Sequence, residues 1–166
     1  MLRHKIPLFI VTSLLSLAAF TGIALLLQAT GLFDQAQLNA QISTEERTWQ
    51  AQGVGDYRIE VRVISSIWHA QTYSITVQDN QVVAHESNCI PAPFEGRECE
   101  TRDYDPADFT VEGLFDIAGV MAQRYSNYTT IRYDERYHFP LTIGYNDPQI
   151  LDEDAHWEVL SFEVLE

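Results

Sequence analysis

The stretch TVEGLFDIAGVMAQRYSNYTTIRYDERYHFPLTIGY, Thr110–Tyr145, decides the fold. Val111, Leu114, Phe115, Ala118, Met121, Ala122 and Tyr125 recur with a period near 3.6 residues, which predicts a helix with one apolar stripe. Thr110 supplies an N-cap oxygen, Glu112 and Arg124 suit the two ends of the helix dipole, and Ser126-Asn127 stops the helix. Gly113 is unfavourable inside a helix by about 1 kcal/mol against Ala. Beyond it, Tyr128–Tyr133 and Phe139–Tyr145 alternate apolar and polar residues around Asp134-Glu135-Arg136, which predicts a β-hairpin. A helix with one apolar stripe, followed by strands with one apolar face, is half of a two-layer domain.

The upstream chain repeats that order of elements without matching residues. Ser43-Thr44-Glu45-Glu46 has the capping-box pattern and predicts a short helix over about Thr44–Gln52, with Trp49 packing on the sheet. Gly53-Val54-Gly55-Asp56 ends it. Tyr57, Ile59, Val61 and Val63 alternate with Arg58, Glu60 and Arg62, a half-buried strand. Ser65–Gln71 is expected to be a loop. Its neighbours do not alternate, so Trp68 and His69 are the candidate binding surface. Tyr73, Ile75 and Val77 mark a second strand, Asp79-Asn80 a two-residue turn, and Gln81–Ser87 a third strand. After Tyr145 comes an acidic loop. The last strand, His156–Val164, is expected to place Leu160, Phe162 and Val164 on one face and Trp157 and Val159 on the other. The prediction is an α+β domain: an antiparallel sheet of about five or six strands with two helices packed on one face, in the order α-β-β-β-α-β-β-β.

Ahead of this domain, Ile6–Leu27 is an apolar run long enough to span a bilayer of roughly 30 Å as a helix. Arg3 and Lys5 precede it and the next basic residue is Arg47, which predicts a cytoplasmic tip at residues 1–5 and everything after Leu27 outside. Residues 28–42 are then a spacer and 43–166 the extracytoplasmic domain. A cleaved signal peptide is the competing reading, with Ala29-Thr30-Gly31 as a passable cleavage site, but signal cores are usually about 7–15 residues. The chain carries 10 Lys/Arg and 24 Asp/Glu, a net charge of −14. Residues 1–30 hold two of the basic residues and no acid, so the remainder carries −16. Such a domain repels nucleic acid and anionic headgroups, and nucleic-acid binding is set aside.

Cys89 and Cys99 are the only cysteines and bracket a long irregular segment with Pro91, Pro93, Gly96 and Pro106. Outside the cytoplasm the two are expected to form a disulfide, which would stabilise the domain by roughly 2–3 kcal/mol in the chain-entropy model. Two thiols without a nearby Cys or His pair do not make a zinc site. The acids Glu95, Glu98 and Glu100 around them do not favour a reactive thiolate.

Other chemistry finds little footing. Asp147, Asp152, Glu153 and Asp154, and likewise Asp103, Asp105 and Asp108, lack the spacing of a calcium loop and are expected to be solvated. His69, His85, His138 and His156 are scattered without an H-E-x-x-H pattern, and no G-x-S-x-G is present. No catalytic, metal or cofactor site is assigned. Asn127-Tyr128-Thr129 matches a glycosylation sequon and is taken as a chance match.

Several blocks of residues carry a resemblance. They are Trp49 followed by Asp56-Tyr57-Arg58, then Val77–Val83, Asn88-Cys89 and Arg97-Glu98-Cys99. Thr110-Val111-Glu112-Gly113-Leu114-Phe115 follows, then Ile131–Asp134, Tyr137–Pro140 and Tyr145–Pro148. Through them the chain resembles a family of bacterial domains of unknown function, DUF6174, over about Thr48–Val164. Asn80 and His138 stand where the family usually has turn glycines. The resemblance implies a secreted or membrane-anchored domain and no activity. The expectation is a non-enzymatic binding module of the cell envelope, held in the membrane by its N-terminal helix, with an envelope protein or peptide as partner. The alternatives are an envelope hydrolase or other enzyme, and a structural subunit of a membrane complex.

Overall fold

The structure is a computed structural model that describes residue 21 and residues 32–66, 69–90, 100–150 and 155–165. The described chain is α+β. Helix α1 spans Leu32–Gln52 and helix α2 Val111–Tyr125. Six strands follow the expected order: β1 Tyr57–Ser66, β2 His69–Gln78, β3 Gln81–Ile90, β4 Thr129–Tyr133, β5 Pro140–Tyr145 and β6 Ala155–Val164. They form one sheet in the order β3-β2-β1-β6-β5-β4, and every neighbouring pair is antiparallel. Two meanders thus meet at the central pair β1–β6. The membrane-spanning segment expected at Ile6–Leu27 lies outside the described residues, Thr21 excepted. Among the described residues no helix is long and apolar enough to cross a membrane.

The alternation in β1 and β2 sets the core. Tyr57, Ile59 and Val61 are fully buried, and their β2 partners Val77, Ile75 and Tyr73 are buried beside them. Each such side chain contributes roughly 1.5–3 kcal/mol by leaving water. Trp49 of α1 meets Tyr57, Phe139 and Phe162 edge-on at ring-centroid distances of 5.8, 6.1 and 5.8 Å. Its indole N–H donates to Glu112 Oε1 (3.0 Å), and the Tyr57 hydroxyl donates to Glu112 Oε2 (2.9 Å). The same hydroxyl accepts the Val111 N–H at 3.1 Å. Tyr57 therefore touches both helices, and both lie on one face of the sheet. Burial, reinforced by the Glu112 charge, pushes the Tyr57 phenol far above its ordinary ionisation range.

Four features depart from the sequence reading. Helix α1 begins at Leu32, so most of the expected spacer is helical and Ser43 is an interior residue whose carbonyl accepts from Arg47 Nε. The capping-box pattern has no helix start to cap there. Leu38, Ile42 and Trp49 form the buried stripe, too sparse to stand out among polar neighbours. The loop expected over Ser65–Gln71 is mostly strand, because Ser66 pairs with His69.

The third departure is in β6. Val61 pairs with Val159 and Glu60 with Ser161, which leaves Leu160 as a bulge. One inserted residue reverses the inside–outside parity. Trp157, Val159, Phe162 and Val164 consequently share the helix-covered face, while Leu160 is exposed. The fourth lies after the Cys segment. Gln71 is completely buried, and its side chain accepts the Arg102 N–H (3.0 Å) and donates to the Arg102 carbonyl (3.3 Å). Tyr104 and Phe109 then pack on Tyr73, so residues 100–109 lie against the β2–β3 half of the sheet.

The turns behave as expected. Asp79 and Asn80 take positive φ (50° and 59°), the mirror-image turn that suits a two-residue hairpin. Asp56 Oδ1 accepts the Asp79 N–H and ties that turn to the end of α1. Thr110 caps α2 by accepting the Gly113 N–H at 3.1 Å.

Gly113 is required by contact. A Cβ there would sit 2.2 Å from the Ala107 carbonyl oxygen of the preceding 3-10 turn, Pro106–Phe109. Gly119, in the same helix, has nothing within 4 Å of a Cβ. Gly113→Ala is expected to destabilise by about 2 kcal/mol or more, through backbone overlap. Gly119→Ala is expected to stabilise by about 0.5–1 kcal/mol through helix propensity. Urea unfolding of the two variants checks the opposite signs.

Candidate functional site

Strand directions bring six strand termini to one end of the sheet. β1 ends and β2 begins there, at Ser66 and His69. β3 ends there at Ile90, β5 ends at Tyr145, β6 begins at Ala155 and β4 begins at Thr129. The C-terminal end of α2 is at the same level, because Tyr125 packs on Tyr145 at 4.7 Å. So is the N-terminal part of α1, because Gln35 Nε2 donates to the Gln123 carbonyl (3.0 Å). The opposite end holds the tight turn at Asp79-Asn80, the turn between β4 and β5, and Leu165, which bonds to the Asp56 carbonyl. This is the loop end and the other the turn end.

Each sequence candidate can now be placed. His69 is half-buried at the start of β2, and Trp68 lies outside the described residues. Cys89 is half-buried opposite Gln71, and Cys99 lies outside the described residues. Among the described residues there is no free cysteine. The candidate acids are used locally. Asp105 Oδ1 accepts the Ala107 N–H and Asp147 Oδ1 the Gln149 N–H, both as turn caps. Asp152, Glu153 and Asp154 lie outside the described residues. Thr129 of the sequon is buried, and its hydroxyl donates to the Tyr125 carbonyl at 2.8 Å, closing the end of α2. The histidines do not converge: His85 Nδ1 is 3.0 Å from the Tyr104 hydroxyl, and His138 Nδ1 is 2.8 Å from Glu45 Oε2. His138 holds a positive φ of 66°, as a position usually given to glycine requires. No group of three or more metal-ligating side chains occurs among the described residues.

A cleft of about 480 Å³ opens at the loop end between the starts of β4 and β6 and the end of β5. Thr130, Gly144 and His156 form one cross-strand row at its floor. A Cβ on Gly144 would lie 3.0 Å from Thr130 Oγ1 and 3.6 Å from His156 Nδ1. Glycine inside a strand allows close approach, and here it lets the Thr130 side chain lean over the β5 backbone. Among the described residues that line the cleft none is Asp, Glu, Lys or Arg. Sequence reasoning missed this site. The one signal for it was Gly144 itself, a lone glycine within an alternating strand. The same face of the sheet, the one turned away from the helices, continues beyond the cleft row as Arg132, Thr142 and Glu158. Arg62 on β1 makes an ion pair there with Glu158 on β6, between threonines and charged residues of the neighbouring strands.

His69 reports on the loop end. Burial lowers its pKa below the ordinary 6.5, the Arg102 guanidinium lowers it further, and Gln71 opposes both. A depressed folded-state pKa means that its contribution to stability is complete above about pH 6.5 and is lost as the pH falls through the folded-state value. NMR titration of His69 is expected to give a midpoint below 6.5, moved upward by Arg102→Gln. A midpoint at 6.5 in both proteins would contradict the placement of residues 100–105.

Comparison with known protein families matches residues 41–164 to a family of unknown function, DUF6174, over the whole sheet and α2. No curated protein and no solved structure matches the chain. The matched residues include the Trp49–Tyr57–Glu112 contact, the Asp56–Asp79 turn clasp and Gly113, so the family blocks coincide with the packing that assembles both layers. The chain belongs to the DUF6174 family.

Proposed function

We propose that this protein is a membrane-anchored binding module of a bacterial cell envelope, non-enzymatic, that meets an envelope protein, peptide or other component with the loop end of its sheet. The anchor is the apolar run Ile6–Leu27, with residues 1–5 in the cytoplasm and the α+β domain outside. The observation that carries the reading is the sorting of the two ends. The turn end is closed by clasped turns at Asp79-Asn80 and between β4 and β5, whereas β3 and β5 end, β6 begins and the cleft opens at the other end. Variable-length loops presented by a rigid scaffold are the usual place for recognition. His85 and His138 are engaged separately with Tyr104 and Glu45, and Asp105 and Asp147 each cap a turn.

A disulfide between Cys89 and Cys99 belongs to this proposal. Cys89 pairs across the ladder with Gln71, and the Gln71 side chain grips Arg102, three residues after Cys99. Cys89 and Arg102 are thereby both held at Gln71, which supports a covalent link between Cys89 and Cys99. Non-reducing peptide mass spectrometry is expected to find Cys89 joined to Cys99, and two alkylatable thiols would refute it.

The functional test is site-specific photocrosslinking in intact cells. A probe at Asn146 or Asn127 is expected to capture a discrete envelope component from the membrane fraction, and a probe at Asp79 is not. Equal capture from Asp79 would overturn the assignment of the loop end. A soluble form beginning near Leu32 would overturn the anchor.

A further inference from the structure

We infer that the loop end is the membrane-facing surface of the domain and docks on the outward loops of an integral membrane protein. The inference rests on the proposed anchor and on the loop-end reading, and names the kind of partner. The course of α1 carries it. Gln35, near the start of the helix, donates to the Gln123 carbonyl at the loop end. Gln52, its last residue, donates to the Arg136 and Tyr137 carbonyls in the turn between β4 and β5. Helix α1 therefore runs from the loop end to the turn end, a rise of about 30 Å for its 21 residues. Its first residue, Leu32, belongs to the loop end. Only residues 28–31 lie between Leu32 and Leu27, where the apolar run ends. A trans chain covers at most about 18 Å over that interval, and the headgroup layer takes roughly 5–7 Å of it. Leu32 is thus held within about 13 Å of the headgroup surface. A domain standing on its turn end would carry Leu32 about 30 Å above the bilayer, beyond that reach.

The narrow gap sets the occupant. A small folded domain is about 30 Å across, so none fits beneath the loop end. What can meet the loop end there is either the headgroups or the short outward loops of a protein embedded beside the anchor. Charge decides between them. The chain carries −14, and −16 beyond residue 30, which anionic headgroups repel. The connection that leaves β5 at this end holds Asp147, Asp152, Glu153 and Asp154 in its sequence, adding to that repulsion. Ile150 in the same connection is 43% exposed, and Tyr125 at the end of α2 is 38% exposed. Large apolar side chains of this kind form the centres of protein interfaces.

The test places the full chain in phosphatidylcholine nanodiscs that carry a gadolinium-chelating lipid, and follows amide NMR signals. Asn127 and Asn146 at the loop end are expected to lose intensity, and Asn80 and Glu135 at the turn end to keep it. Equal loss at both ends, or greater loss at the turn end, overturns the inference. Inserting about twelve Gly/Ser residues after Leu27 lengthens the tether by roughly 20 Å and frees the orientation. That variant is expected to melt unchanged and to even out the signal loss between the two ends. Loss that stays confined to the loop end in the variant means affinity for the headgroups themselves, and overturns the protein partner. In intact cells, the protein photocaptured from Asn127 is identified by peptide mass spectrometry and is expected to carry membrane spans of its own. A captured protein without spans overturns the inference alone. Loop-end signal loss with no capture from Asn127 retires the loop-end reading together with the partner. A chain that leaves the nanodisc, with no signal loss at either end, retires the anchor and the inference with it.

Discussion

One carboxylate holds the two layers together. Glu112 sits in the first turn of α2 and accepts hydrogen bonds from Trp49 on α1 and Tyr57 on β1. Tyr57 is fully buried, and its hydroxyl also receives the Val111 amide, one of the N–H groups that a helix start leaves unpaired. Both helices and the central strand are thus fixed relative to one another by a single connected set of polar contacts. Charge-assisted bonds of this kind are about twice as strong as neutral ones. The greater effect is on what happens without them, because removing the acceptor would leave the Trp49 and Tyr57 donors unsatisfied.

Around this contact the rest of the packing falls into place. Gly113 allows α2 to press its first turn against the 3-10 turn at Pro106–Phe109, and that turn brings Phe109 onto Tyr73. Trp49, Phe139 and Phe162 fill the space between α1 and the centre of the sheet. These contacts lie toward the turn end or the middle of the sheet. Among the described residues the loop end carries fewer of them.

Much of this was legible in the residues. The stripe Val111–Tyr125 and the alternation of Tyr57–Val63 gave the helix, the strand and their buried faces, because single-face burial imposes a simple period. Three things were hidden for physical reasons. Helix α1 was shortened at sequence level because its stripe is reduced to Leu38, Ile42 and Trp49. The faces of β6 were split because a bulge at Leu160 shifts parity, although two apolar runs out of phase, Trp157/Val159 and Phe162/Val164, were its trace. Glu112 was assigned to the helix dipole, since a carboxylate that bonds to residues 55 and 63 positions away leaves no local pattern. The candidate surface was half visible. The loops are nameable from the sequence, but which strand ends lie together depends on strand order, which leaves no local pattern.

The most direct test is a double-mutant cycle on unfolding free energy, with Tyr57→Phe and Glu112→Ala made singly and together. If Glu112 is the joint between sheet and helices, the pair couples by about 1–2 kcal/mol, as residues within one hydrogen-bond network do. Effects that add to within about 0.5 kcal/mol would mean that the layers are held by apolar packing alone, and would contradict the account.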